Sequence, residues 1–273
     1  MALSTNRLPT LFIPHGGGPW PFMAATMGPA DMWDRLGAYL RGLGEAVGRR
    51  PKAVLVISGH WETPQPTVNA AERPKLLFDY YGFPEHTYRL DYPAPGSPEL
   101  AAEVRALLGR AGIECGQDEQ RGFDHGVFIP FMLIYPDADV PIVQLSLRAD
   151  LDPAAHFAMG RALAPLREEG VLIVGSGMSY HNLREFRSAS PRANQASVHF
   201  DDWLTGAVEK PEPEAREREL CAWANAPDAL ACHPESEHLV PLFVAAGAAD
   251  ADPGKRTFSD RILGKAVSAY QFG

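Results

Sequence analysis

A chain of 273 residues, 45% hydrophobic and 22% charged, has ordinary globular composition and ample length for a sizeable buried core. Its formal net charge of −9 at pH 7 argues against a nucleic-acid partner, because gripping phosphates needs a basic surface. No apolar run approaches the roughly 20 residues that span a bilayer, and the opening Met1–Gly18 lacks the charged region, long apolar region and cleavage site of a signal peptide. The three cysteines, Cys115, Cys221 and Cys232, are odd in number and far apart, which supports neither a disulfide framework nor a cysteine-based zinc site. The expected location is the cytoplasm, with reduced thiols.

In chain order, Thr10–Ile13 is the first short apolar run that reads as a buried strand. An amphipathic segment over Met32–Val47 reads as a helix. Ala53–Ile57 is the second strand. Glu99–Leu108 is a helix that Ser97-Pro98 starts well, and Val140–Leu145 is the third strand. Asp152-Pro153 gives a cap and first-turn signal ahead of a helix over His156–Arg167, and Val171–Gly175 is the fourth strand. The strands are rich in β-branched residues and bounded by Gly, Pro or charge, as strands buried on both faces are. Alternation of strand and helix predicts an α/β fold with a largely parallel central sheet flanked by helices. Lys210–Glu219, polar and dense in charge, reads as a solvated helix start or linker. No repeat or boundary is legible, so residues 1–273 are assigned to one domain.

The placing of the nine histidines carries the functional signal. His15 ends the first strand, His60 ends the second in Ser58-Gly59-His60-Trp61, and His181 follows the fourth. Open α/β sheets bind ligands outside the carboxyl ends of their strands, so three strands point an imidazole at one rim, with glycines beside each. His125, in Asp124-His125-Gly126, and His238 sit in loop-to-helix contexts. The segment His233–Leu242 reads as a helix start with Pro234 in its first turn, presenting acidic side chains and His238 near an N-terminus. One histidine at a strand end is more often a hydrogen-bonded structural residue than a ligand. Three on one rim point to a metal site, since imidazole suits Zn, Cu, Fe and Ni. His86, His156 and His199 lack that context and read as surface or core residues.

Six segments then occur in one order along nearly the whole chain: Pro14-His15-Gly16, Ser58-Gly59-His60-Trp61, Tyr92–Pro98, Asp124-His125-Gly126, Gly175-Ser176-Gly177 leading to His181-Asn182-Leu183, and Glu237–Leu242. Together they resemble the class III extradiol ring-cleavage dioxygenases, in the branch of DOPA 4,5-dioxygenase-like enzymes. That resemblance implies His15 and His60 as metal ligands. The third ligand is His238 in the DOPA-like pattern, with Glu237, or Glu235, as the carboxylate alternative of the protocatechuate-cleaving pattern. It implies His181 beside the metal as acid/base or further ligand, and His125 in contact with substrate or oxygen. Fe(II) is the cofactor implied for activity, with Zn(II) as another ion the site accepts. A catechol-type aromatic and O2 are the implied partners, and a homodimer is the assembly many members adopt. The Gly16–Phe22 segment departs from the pattern in a way that reshapes the pocket.

Ring opening needs a redox metal with several open positions, a base for a phenolic proton and a donor where charge develops. Trp20, Trp61, Phe123 and Tyr180 flank the key residues and are candidates to line an apolar pocket, with ordinary core packing as the equal alternative. Arg121 or Tyr88 are candidates to meet a substrate carboxylate. The competing readings are a zinc hydrolase activating water on the same site and a non-catalytic binding protein on the same fold. The second gains if the rim histidines fail to converge or side chains fill the pocket.

Overall fold

The apolar runs become the middle of one sheet. The computed structural model describes residues 7–23 and 28–273. Its strands are β1 (Thr10–Pro14), β2 (Ala53–Thr63), β3 (Thr67–Asn69), β4 (Gly116–Asp118), β5 (Ile142–Arg148), β6 (Val171–Gly177), β7 (Gly254–Ile262) and β8 (Lys265–Phe272), hydrogen-bonded in the order β4-β3-β5-β2-β6-β1-β8-β7. The central four, β5, β2, β6 and β1, are parallel, while β3 runs against β5 and β8 against β1. Every residue of β1 and β6 is buried, which explains their unbroken apolar reading.

Helices cover both faces: α1 (Asp34–Ala46), α2 (Pro98–Arg110), α3 (His125–Ile134), α4 (Pro153–Leu163), α5 (Leu183–Phe186), α6 (Pro191–Val208), α7 (Pro213–Cys221), α8 (Ala229–Cys232) and α9 (Pro241–Ala249). Side chains alternate across β2 with the strand period. Val54 and Val56 pack with α1 and α3, whereas Leu55 and Ile57 pack with α2, α4, α6 and α9. The cap signals hold: Ser97 Oγ accepts the Leu100 N–H, and Asp152 Oδ1 accepts the Ala155 N–H at 2.7 Å. Among the described residues no helix is long and apolar enough to cross a membrane.

Three expectations change. β2 runs three residues past His60, and its pairing with β5 slips between Ile57 and Glu62, so His60 sits in a bulge rather than at a strand end. Such an irregularity re-aims a side chain while the strand continues. The helix expected from Pro234 begins at Pro241. Residues 236–240 form turns, because Leu239 and Val240 both donate to the Ser236 carbonyl. Part of Lys210–Glu219 belongs to α7, which buries Arg216 and Leu220 and so is only half solvated. The C-terminal hairpin β7–β8 has no counterpart in the apolar runs.

Candidate metal centre

The carboxyl ends of β1, β6 and β2 lie level: Pro14 pairs with Gly177, and Ser58 with Ser176. His15 therefore leaves β1 beside Gly177, to whose carbonyl its N–H donates at 3.1 Å. His60 enters the same rim from the β2 bulge. The turn before α9 brings His238 by lying directly on the strands. A Cβ at Gly177 would stand 2.0 Å from the His238 carbonyl, and one at Gly59 would stand 2.9 Å from the Glu237 carbonyl. The two glycines permit that approach. The Met178 N–H then bonds the His238 carbonyl at 2.9 Å.

The outcome is convergence of three Nε2 atoms. His60 Nε2 lies 3.1 Å from both His15 Nε2 and His238 Nε2. The opposite nitrogens face outwards to partners. His15 Nδ1 is 3.2 Å from Ser176 Oγ, His60 Nδ1 is 3.5 Å from Asp79 Oδ2, and His238 Nδ1 is 2.8 Å from Glu237 Oε1. Burial, then repulsion from neighbouring imidazoles, pushes His15 and His238 well below 6.5 and His60 to about 3, with Asp79 opposing the shift at His60. All three rings are thus neutral, with lone pairs crowded at one point. A single proton on His60 Nε2 cannot serve both neighbours, whereas a divalent cation accepts all three lone pairs. The donor set fits a metal held by imidazole and oriented by outer partners.

His15 owes its orientation to an imperfection in α3. Pro130 has no N–H to give the Gly126 carbonyl, so that carbonyl is free to accept the Ser176 hydroxyl instead. With its proton committed there, Ser176 Oγ is left as the acceptor for His15 Nδ1–H, which turns the Nε2 lone pair inward.

Two carboxylates organise the second layer. Glu237 Oε1 receives Nδ1 of both His238 and His181, at 2.8 and 2.9 Å, and the two rings stack with centroids 3.4 Å apart. Asp79 Oδ1 accepts from the His125 backbone N–H at 2.9 Å and from its Nδ1 at 2.8 Å, while Oδ2 faces His60. Burial opposes ionisation at Glu237 and Asp79, but the bonds and charge of His181 and His125 respectively outweigh it and hold both below the usual carboxylate range. Glu237, named in the sequence as an alternative ligand, gives Oε1 to the two imidazoles, keeps a buried Oε2 without a hydrogen-bond partner, and forms with His181 and His238 a second group able to hold a metal, whereas Glu235 is exposed and joins no ligand cluster among the described residues. Asp79 and Ser176 went unread in the sequence as orienting groups. Asp79 lies in an irregular stretch with no periodic pattern to mark it.

The imidazoles open into a cavity of about 240 Å³ lined by all five histidines, Gly16–Gly18, Met32, Trp33, Phe83, Met178, Leu183, Phe186, Arg187 and Leu263. The rim histidines converge and side chains leave the pocket open, so both conditions favouring a non-catalytic binding protein fail. None of the four aromatic candidates lines it. Trp20 donates to the His15 carbonyl at 2.8 Å and packs on Trp33, Trp61 lies beneath Arg121, Phe123 is core, and Tyr180 packs on Phe186. Their bulk supports the wall rather than forming it. Arg121 and Tyr88 are also elsewhere. The Arg121 guanidinium donates to the His60 carbonyl and the buried Asp124 carboxylate, both at 3.1 Å, and the Tyr88 hydroxyl accepts the Phe83 N–H. The Gly16–Phe22 segment does shape the pocket, through its three glycines and through Trp20 behind Trp33.

Comparison with known proteins agrees with this geometry. Residues 10–270 match the family described as the catalytic LigB subunit of aromatic ring-opening dioxygenase. The chain is 39% identical over 282 residues to the dioxygenase tasH of Hapsidospora irregularis, covering 97% of this chain and 85% of that protein. It is 39% identical to a 4,5-DOPA dioxygenase extradiol of Beta vulgaris, over 91% of this chain and 90% of that one. A protein of the same name from Escherichia coli K12 is 36% identical, over 91% and 88%. A solved structure of an uncharacterised Escherichia coli K12 protein superposes with a TM-score of 0.77 at 31% identity, covering 98% of this chain and all of that one. A three-imidazole rim above an open cavity, on a chain matched almost end to end, places this protein in the LigB family, as an extradiol aromatic ring-opening dioxygenase.

Proposed function

We propose that the enzyme opens the ring of a catechol-type substrate with O2, using iron(II) held by His15, His60 and His238. The observation that carries this is the convergence of three imidazole Nε2 atoms whose Nδ1 atoms all face partners outside the cluster. Ferrous iron, when bound, supplies the one-electron chemistry that lets triplet dioxygen react with a closed-shell catechol; zinc has no such redox states.

The remaining roles belong to the chain. His181 lines the cavity with Nδ1–H committed to Glu237, so its Nε2 lone pair is the group that takes a phenolic proton. The Glu237 carboxylate then stabilises the imidazolium. His125, held by Asp79 on the other side, hydrogen-bonds the oxygen on which charge develops. Met178, Phe186, Trp33 and Phe83 keep water from the reacting atoms and hold the ring flat against an apolar wall. The zinc hydrolase reading has family membership against it.

The test is anaerobic loading with ferrous iron, followed by oxygen-electrode traces and absorbance scans over a catechol panel. Stoichiometric oxygen uptake with a yellow product is expected. His15→Ala should lose iron and activity together. His181→Ala should retain iron and lose about a hundredfold or more in rate. No uptake from verified iron-loaded protein on any catechol, or full iron binding by His15→Ala, would refute the assignment.

A further inference from the structure

One cavity-lining side chain has no part in holding a metal or moving a proton. Arg187 follows α5 at the cavity mouth, exposed, beside Phe186 and across from Leu263. Among the described residues no hydrogen bond or ion pair engages its guanidinium. Its backbone, by contrast, is fixed. The Arg187 and Ser188 N–H groups both bond the Glu185 carbonyl, and the fully buried Lys265 ammonium donates to the Ser188 carbonyl at 2.8 Å, to Asn194 Oδ1 at 2.8 Å and to the Leu263 carbonyl at 3.4 Å. One ammonium therefore ties together the two rim segments that carry Arg187 and Leu263. A guanidinium with no partner among the described residues, on a pinned segment at the edge of an apolar cavity, is a prepared anion contact.

The lining holds no Asp or Glu among the described residues. Behind the lining histidines, Glu237 Oε1 meets His181 and His238 and Asp79 Oδ1 meets His125. An ammonium group on the substrate would meet a positive charge at the mouth and no carboxylate among the described lining side chains.

We propose that Arg187 is the specificity-determining residue of this site, pairing with a carboxylate carried on a short chain from the catechol ring, and that the site favours purely anionic catechols over zwitterionic, neutral and cationic ones. This rests on the catechol reading above. With the diol at the imidazoles, the ring lies along Phe186 and the substituent reaches the mouth, where a planar guanidinium can grip a carboxylate with two hydrogen bonds. Arg187 acts on binding and orientation; it is not a catalytic residue.

The experiment compares four catechols of similar size: dihydrocaffeate, DOPA, 4-ethylcatechol and dopamine. Anaerobic dissociation constants and aerobic kcat/KM are measured with iron-loaded wild type, Arg187→Gln and Arg187→Glu. In wild type, dihydrocaffeate should bind about tenfold more tightly than 4-ethylcatechol and show a kcat/KM about tenfold higher, as expected for a hydrogen-bonded charge pair, with DOPA between them and dopamine last. Arg187→Gln should shrink the dihydrocaffeate-to-ethylcatechol ratio to within about twofold, and Arg187→Glu should place dopamine above dihydrocaffeate. Raising the salt should compress the wild-type ratio and leave that of Arg187→Gln nearly unchanged. A wild type that prefers DOPA or dopamine to dihydrocaffeate, or a ratio unmoved in Arg187→Gln, overturns the proposal. If a variant fails to fold, the wild-type order still decides. If no catechol is turned over, the ring-opening reading fails on its own, and the anaerobic binding ratios still judge Arg187.

Discussion

Replacing Glu237 by Gln separates the two jobs its carboxylate performs. The amide keeps the size and one carbonyl acceptor but removes the charge to which His181 and His238 both present Nδ1. A hydrogen bond to a charged group contributes about 1.5–3 kcal/mol and a neutral one about 0.5–1.5, so each of the two contacts should weaken by about 1–1.5 kcal/mol. The His238 share appears as metal affinity: about tenfold weaker binding, at the lower end of the 10–100-fold typical of lost outer partners. The His181 share appears as kcat, about tenfold lower, because the ring loses its stabilised imidazolium. Metal affinity is read by chelator competition with zinc, which avoids oxygen chemistry. The rate is then read at saturating iron, so that occupancy cannot masquerade as chemistry. A Glu237→Gln protein with wild-type metal affinity, or with wild-type kcat at full occupancy, would refute the double role.

Two further outcomes concern stability. His156 is buried with both ring nitrogens used: Nδ1 donates to the Asp152 carbonyl at 2.7 Å, and Nε2 accepts the Arg148 N–H at 3.0 Å. Burial holds it below 6.5 and therefore neutral, although the Asp152 bond opposes the shift. The unfolded chain takes up a proton at this residue where the folded one does not, so its contribution is fully present above about pH 6.5 and declines as pH falls towards the folded value. In urea titrations His156→Leu should cost about 2–4 kcal/mol at pH 7.5 and show a smaller further loss at pH 5.5 than wild type; an unchanged pH slope would count against this account. Arg167 is buried and donates to the Leu8 carbonyl at 2.7 Å, to the Ala248 and Ala249 carbonyls at 2.9 and 3.0 Å at the end of α9, and to Asp252. Arg167→Met strands those acceptors and should lower the unfolding free energy by about 3–5 kcal/mol, whereas a loss under 1 kcal/mol would show that water replaces the guanidinium freely.

What the sequence disclosed follows from the range of the forces involved. The central strands are buried on both faces, so their composition alone marks them, and the caps at Ser97 and Asp152 act within four residues. His15 and His181 were legible because chain direction in a parallel sheet sends strand ends to one edge. The bulge that aims His60 depends on slippage against β5, a neighbour nearly ninety residues away, and no local pattern encodes it. Asp79 and Arg187 sit in irregular segments whose positions are set by distant contacts, to His125 in one case and to Lys265 in the other. Arg121 looked free because its partners, the His60 carbonyl and Asp124, are visible only in three dimensions. The β7–β8 hairpin escaped because β7 carries Lys255, Arg256, Asp260 and Arg261, and only Gly254, Phe258 and Ile262 are buried along it. Edge strands carry such charge to avoid pairing with other chains, at the cost of looking like loop.

The proline in α3 sets stability and affinity against each other. Giving position 130 an N–H would mend the helix and, judged by the backbone alone, would count as an improvement. It would also bring a second donor to the Gly126 carbonyl, loosen the hydroxyl of Ser176 and leave His15 free to present either nitrogen. Anyone engineering this scaffold for heat tolerance should treat that flaw as an inherited setting of the metal site, and tighten the helix elsewhere.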